Sequence, residues 1–61
     1  TFLEYLTAYR IERAVELLQQ TDIPVREIAV RVGYTDANYF TKVFKRHLGV
    51  TPTEYRNHNA N

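Results

Sequence analysis

Cysteine, methionine and tryptophan are absent from this 61-residue chain, and so is serine. Without cysteine, neither a disulfide nor a thiolate zinc site can staple the fold, so cohesion has to come from helix packing. Without serine and cysteine the two commonest catalytic nucleophiles are missing, and a hydrolase triad of the usual kind cannot be built. Glycine occurs only at Gly33 and Gly49, too far apart to form a loop that cradles phosphate. The two histidines, His47 and His58, lack the i, i+4 spacing of a helical metal site, so neither a metal nor a cofactor is expected. His47 reads as a partly buried side chain and His58 as a solvated one. No apolar run approaches the roughly 20 residues that span a bilayer, and no signal-peptide pattern is present. A cytoplasmic protein without a membrane partner is the expectation. At this length only roughly 60% of the unfolded chain's surface can be buried, which fits one small core and no deep catalytic cleft. An enzyme is therefore not expected.

What is present is unevenly charged. The net charge is +1, too small to announce a polyanionic partner, but residues 1–22 carry a net −2 and residues 23–61 a net +3. The basic part is the C-terminal one.

Periodicity predicts an all-α chain. From Phe2 to Gln20 the residues Leu3, Leu6, Ile11, Ala14, Leu17 and Leu18 fall within about 140° on a helical wheel, predicting an amphipathic helix packed on one flank. Arg10 points into the same arc, which is odd for a core stripe. Pro24 ends the run, because proline lacks an amide hydrogen and pushes its predecessor out of the helical region. A short second helix is expected over 25–32, with Val25, Ile28, Ala29 and Val32 on one face. Gly33 suits a left-handed helix end, and Thr35 or Asp36 can cap a third helix over 37–48. Phe40, Val43, Phe44, His47 and Leu48 share one arc of that helix, with Phe40 and Phe44 as core. Thr51-Pro52-Thr53-Glu54 combines a cap, a proline at the first helical position and a glutamate at the third, a strong start for a last helix over 52–58. Tyr55 is expected to pack on the third helix, and Arg56 to serve either a phosphate or a helix end. The chain is expected to fray over Asn57 to Asn61.

Two short helices about a glycine-containing turn form the arrangement that lays a second helix in the DNA major groove. On the third helix Asn38, Thr41, Lys42 and Lys45 point away from Phe40 and Phe44. Asparagine can pair with adenine through two hydrogen bonds, lysine donates to guanine, and threonine offers a hydroxyl and a methyl group. Ala37, at the edge, could meet a thymine methyl. Acidic side chains, which phosphates repel, are missing from this face. Arg46, Arg26 and Arg31 are placed for flanking phosphates. Tyr34 and Tyr39 either fill the seams between helices or reach phosphates through their hydroxyls, and Tyr39 is kept among the phosphate candidates.

Glu27-Ile28-Ala29, Val32-Gly33-Tyr34, Asp36, Asn38-Tyr39-Phe40, Phe44-Lys45, Gly49, Thr51-Pro52 and Tyr55-Arg56 together resemble the AraC/XylS family of bacterial transcription regulators. Tyr5-Leu6, Arg10-Ile11, Ala14 and Leu17-Leu18 extend the likeness upstream. The resemblance implies a homeodomain-like trihelical unit over 24–48 and 52–58, preceded by a long linker helix over 2–20, with a first helix-turn-helix motif upstream. It implies sequence-specific binding to double-stranded DNA, the third helix being the second recognition helix. Asn38, Thr41, Lys42 and Ala37 carry over to bases, Lys45 and Arg46 to phosphates. Effector sensing and dimerisation are expected in a separate domain. Pro24 departs from the capping Ser or Thr usual in the family, which puts the entry into the second helix in doubt, and the role of Arg10 is open between DNA contact and pairing within the linker. The competing reading is a protein-interaction module that touches RNA polymerase or another regulator domain; it predicts little salt dependence, where DNA binding predicts a steep one.

Overall fold

The structure is a computed structural model and describes residues 1–58. Four helices follow one another: α1 (Phe2–Gln20), α2 (Val25–Arg31), α3 (Ala37–Leu48) and α4 (Pro52–His58), with no strand among the described residues. Asn57 and His58 are still helical, and the remainder of the expected fraying, at Asn59, Ala60 and Asn61, lies outside the described residues.

α1 is the spine, packing against α2, α3 and α4 in turn. Its buried residues, Ile11, Ala14 and Leu18, are spaced three and four apart, the interval that keeps side chains on one face of a helix. They meet Ile28 and Ala29 of α2, Tyr34 of the turn, and Phe40, Val43 and Phe44 of α3 in a single core. Phe40 and Phe44 are fully buried, and each contributes roughly 1.5–3 kcal/mol by leaving water. Their rings tilt against each other at 5.8 Å, and Phe44 meets Tyr55 of α4 edge-on at 5.9 Å, the geometry that the ring quadrupole favours. The first half of α1 projects beyond this body, leaving Phe2 and Leu3 more than 70% exposed.

Short polar signals fix where each helix starts and stops. At the end of α1, Thr21 donates both its amide and its hydroxyl to the Leu17 carbonyl, and its Oγ1 accepts the Ile23 amide. α2 starts without a side-chain cap; the Pro24 carbonyl accepts the amides of Glu27 and Ile28 instead. The absent Ser or Thr is thus replaced by a residue whose φ of −56° is already compatible with a helix start. α2 closes in a Schellman motif: Tyr34 donates to the Ala29 carbonyl and Gly33 to that of Val30, which places Gly33 at a φ of +108°. α4 opens on a reciprocal capping box, Glu54 amide to Thr51 Oγ1 and Thr51 amide to Glu54 Oε1.

Arg56 ties α4 back to the end of α1. Its guanidinium donates to the carbonyls of Ile23 at 2.6 Å, Thr21 at 3.1 Å and Leu18 at 3.4 Å. α1 has no basic residue in its own last turn, so Arg56 supplies from a distant part of the chain the cation that a helix C-terminus attracts. Of its two expected roles, it serves the helix end. Beside it, Gln19 Nε2 donates to the Tyr55 hydroxyl.

Candidate nucleic-acid interface

α3 is the helix whose two faces differ most. Asp36 caps it, Oδ1 accepting the amides of Asn38 and Tyr39, so of the two possible caps Asp36 is the one used. Phe40, Val43 and Phe44 anchor the inner face. On the outer face Asn38, Lys42, Lys45 and Arg46 are exposed. The helix contains no acidic residue, and neither the Asn38 side chain nor Lys42 nor Arg46 has a partner within the described residues. Lys45 lies close enough to Glu54 to help keep that carboxyl ionised, after the larger effect of its hydrogen bonds with Thr51. Thr41 and Ala37 are half-buried at the margin, and the Thr41 hydroxyl donates to the Ala37 carbonyl at 3.0 Å. Thr41 therefore offers outward a methyl group and hydroxyl lone pairs, with its proton already engaged.

The other expected positions divide. On α2, Arg26 is exposed and unpaired among the described residues, while Arg31 is bonded to Glu27 at 2.8 Å. Tyr34 is buried, but Tyr39 is 56% exposed and only leans its ring on that of Tyr34, 5.9 Å away. One expectation on α3 fails, and one further residue of its inner arc lies open. His47 is exposed, not partly buried, and Leu48 is 43% exposed. Both share the inner arc by wheel angle, yet both lie exposed at the end of α3, so direction alone does not bury them.

Arg10 has the environment that its position on the wheel left unexplained. Its guanidinium lies over the Tyr34 ring, 5.4 Å from the centroid, a cation–π contact that lets a charged side chain sit against the core. It also lies over the turn between α2 and α3. A Cβ on Gly33 would come within 3.1 Å of the Arg10 Cζ, a contact that the end of this side chain can relieve by a small shift, so it is the positive φ that calls for glycine there.

A family model described as a helix-turn-helix domain matches residues 1–58. The chain belongs to the AraC/XylS family. Among curated AraC-type proteins it is 48% identical over 56 residues to the HTH-type transcriptional activator RhaR of Mannheimia succiniciproducens, covering 92% of this chain and 20% of RhaR. Among solved structures it matches a DNA-binding transcriptional dual regulator from Escherichia coli K-12 at a TM-score of 0.94 and 35% identity, over 98% of this chain and 54% of that one. The C-terminal domain of AraT, a response regulator from Geobacillus stearothermophilus, matches at a TM-score of 0.92 and 46% identity, over 95% and 48% respectively. This AraC-type segment thus spans about a fifth of the RhaR chain and about half of each solved chain.

Proposed function

We propose that the chain is a sequence-specific DNA-binding module whose α3 enters the major groove as a recognition helix. The observation that carries this is the outer face of α3: exposed Asn38, Lys42, Lys45 and Arg46, on a helix that holds no acidic residue of its own and is anchored by fully buried Phe40 and Phe44. A rigid helix with unpartnered donors pointing outward is what base reading requires. Asn38 and Lys42, one turn apart, face base edges, with Thr41 and Ala37 offering methyl groups beside them. Lys45, Arg46 and Arg26 take backbone phosphates, joined by the Tyr39 hydroxyl and by the donors of Arg31 that Glu27 leaves free. α1 serves as the linker to a first helix-turn-helix motif that would cover Phe2, Leu3 and Tyr5, and effector sensing belongs to another part of the whole protein. Transcription regulation by a DNA-binding, intracellular bacterial protein is the setting that this reading implies.

The test selects preferred sites from a random duplex pool and measures affinity for a selected and a scrambled duplex by fluorescence anisotropy across a salt series. If about four phosphates are neutralised, log K against log salt has a slope near −3.6. Asn38→Ala and Lys42→Ala each narrow the gap between the two duplexes by about 1–3 kcal/mol, whereas Lys45→Ala weakens both alike. A slope near zero, or no enriched sequence, overturns the reading.

A further inference from the structure

α1 contributes two arginines, Arg10 and Arg13, to a basic surface, and the proposed function gives neither of them a role. Tyr9, Arg10, Arg13, Leu17, Arg31 and Val32 line one concavity of about 230 Å³ between α1 and the end of α2. Three arginines share its wall. Arg13 is bonded to Glu16 at 2.7 Å and Arg31 to Glu27 at 2.8 Å, and neither carboxylate lines the concavity. Arg10 has no carboxylate and no hydrogen-bond acceptor among the described residues; the face of Tyr34 is its sole partner. Three cations against two carboxylates leave one positive charge uncompensated, with planar donor groups that match the oxygens of a phosphate.

The position of this groove argues for the backbone of a nucleic acid over an acidic peptide. Arg10 contacts Tyr34, Tyr34 contacts Tyr39, and Tyr39 adjoins Asn38 on the first turn of α3. The groove is therefore linked through two rings to the start of the base-reading face. Tyr9, half-exposed at its rim, adds a hydroxyl of the kind that often donates to phosphate oxygens.

We infer that the Arg10–Arg13–Arg31 groove holds a backbone phosphate of the duplex engaged by α3, with Arg10 as its principal donor and Arg13 beside it. This rests on the proposed function. The phosphate anchors the linker helix to the same duplex and carries no sequence information. Arg10 is suited to it because stacking on Tyr34 fixes the guanidinium before the ligand arrives, so less rotamer entropy is lost on binding.

The test follows the arginine Nε–Hε resonances of the 15N-labelled chain as a short mixed-sequence duplex is added at low salt, with Arg10→Gln and Arg13→Gln providing the assignments. The Arg10 resonance is expected to move together with the Asn38 and Lys42 amides and to return as salt is raised. Arg10→Gln should reduce the steepness of the log K against log salt line by about 0.9, one phosphate's worth, while Arg10→Lys keeps most of it. Should Arg10→Gln lose its fold along with the Tyr34 contact, Arg13→Gln, at an exposed position, carries the slope measurement, and an unchanged slope there overturns the inference. Movement of the α3 amides while Arg10 and Arg13 stay still overturns the groove and leaves the proposed function standing. Movement nowhere overturns both. A response of Arg10 to polyglutamate but not to the duplex overturns the phosphate assignment.

Discussion

Replacing Arg56 by methionine isolates the hydrogen bonds that join α4 to the end of α1, because methionine keeps much of the aliphatic stem that packs there while removing the donors. Two of the three contacts, to Ile23 at 2.6 Å and to Thr21 at 3.1 Å, are well formed; the third, to Leu18 at 3.4 Å, is long. A hydrogen bond from a charged donor is worth about 1.5–3 kcal/mol. The side chain is half-buried, and water can re-solvate part of what it leaves, so the net loss is about 2 kcal/mol. A domain of this size is stable by roughly 3–9 kcal/mol in total. A loss of that size lowers the melting temperature by about 8–16 °C for so short a chain. Circular dichroism at 222 nm against temperature reads this directly, and Arg56→Lys, which can reach one carbonyl but not two in a fixed fork, should fall about midway. A methionine variant that melts within about 2 °C of the parent, with the same cooperativity, would show that these contacts are incidental.

Other consequences follow from the same geometry. Gly33→Ala puts a Cβ both at a φ of +108° and against the Arg10 guanidinium, so it should cost at least the roughly 1–2 kcal/mol of the left-handed conformation; an unchanged denaturation midpoint would contradict this. Phe44→Ala empties a site with no exposure and should cost about 3–5 kcal/mol, enough to unfold much of the population at room temperature, as near-ultraviolet dichroism would report. The hydrogen bonds from Thr51 hold the Glu54 carboxyl below its ordinary pKa. A depressed folded-state pKa means that stability gained from this group is present above the ordinary carboxylate range and is lost as pH falls through the folded value. The gap in melting temperature between the parent and Glu54→Ala should therefore be widest near neutrality and narrow in acid, and a gap that does not change with pH would remove the capping carboxylate from the account.

The helices and their ends were legible because local rules set them. Asp36, Gly33, Gly49 and the Thr51–Glu54 pair each act within a few residues of themselves, and both glycines take the positive φ that their position at a helix end calls for. Phe40 and Phe44 were legible from periodicity. Residues whose partners lie far along the chain were not. Arg56 could be left only between two roles, since the carbonyls it meets are 33 to 38 positions away, and Arg10 stood out in its apolar arc with no sign of the Tyr34 ring that explains it. His47 failed for a third reason, which also leaves Leu48 open: a helical wheel gives the direction in which a side chain points, not whether another element lies there.

The two faces of α3 are under different physical constraints. The side chains of Asn38, Lys42 and Arg46 are exposed and make no hydrogen bond, ion pair or ring contact among the described residues, so replacing them should change stability by no more than the few tenths of a kcal/mol usual at open surface sites. Phe40 and Phe44 admit little change, because both are fully buried and a smaller side chain there would leave a cavity. Tyr34 belongs to both regimes: it is buried in the core, yet it also meets the Arg10 guanidinium and the Tyr39 ring. Tyr34→Leu should then reveal the link between them. Leucine keeps a buried apolar side chain but offers no ring face to Arg10, so at a temperature where the variant is fully folded its loss of affinity for a generic duplex should match that of Arg10→Gln, and the two losses should fail to add in the double variant. Full additivity would mean that the ring and the guanidinium act independently, and that Tyr34 is a core residue and nothing more.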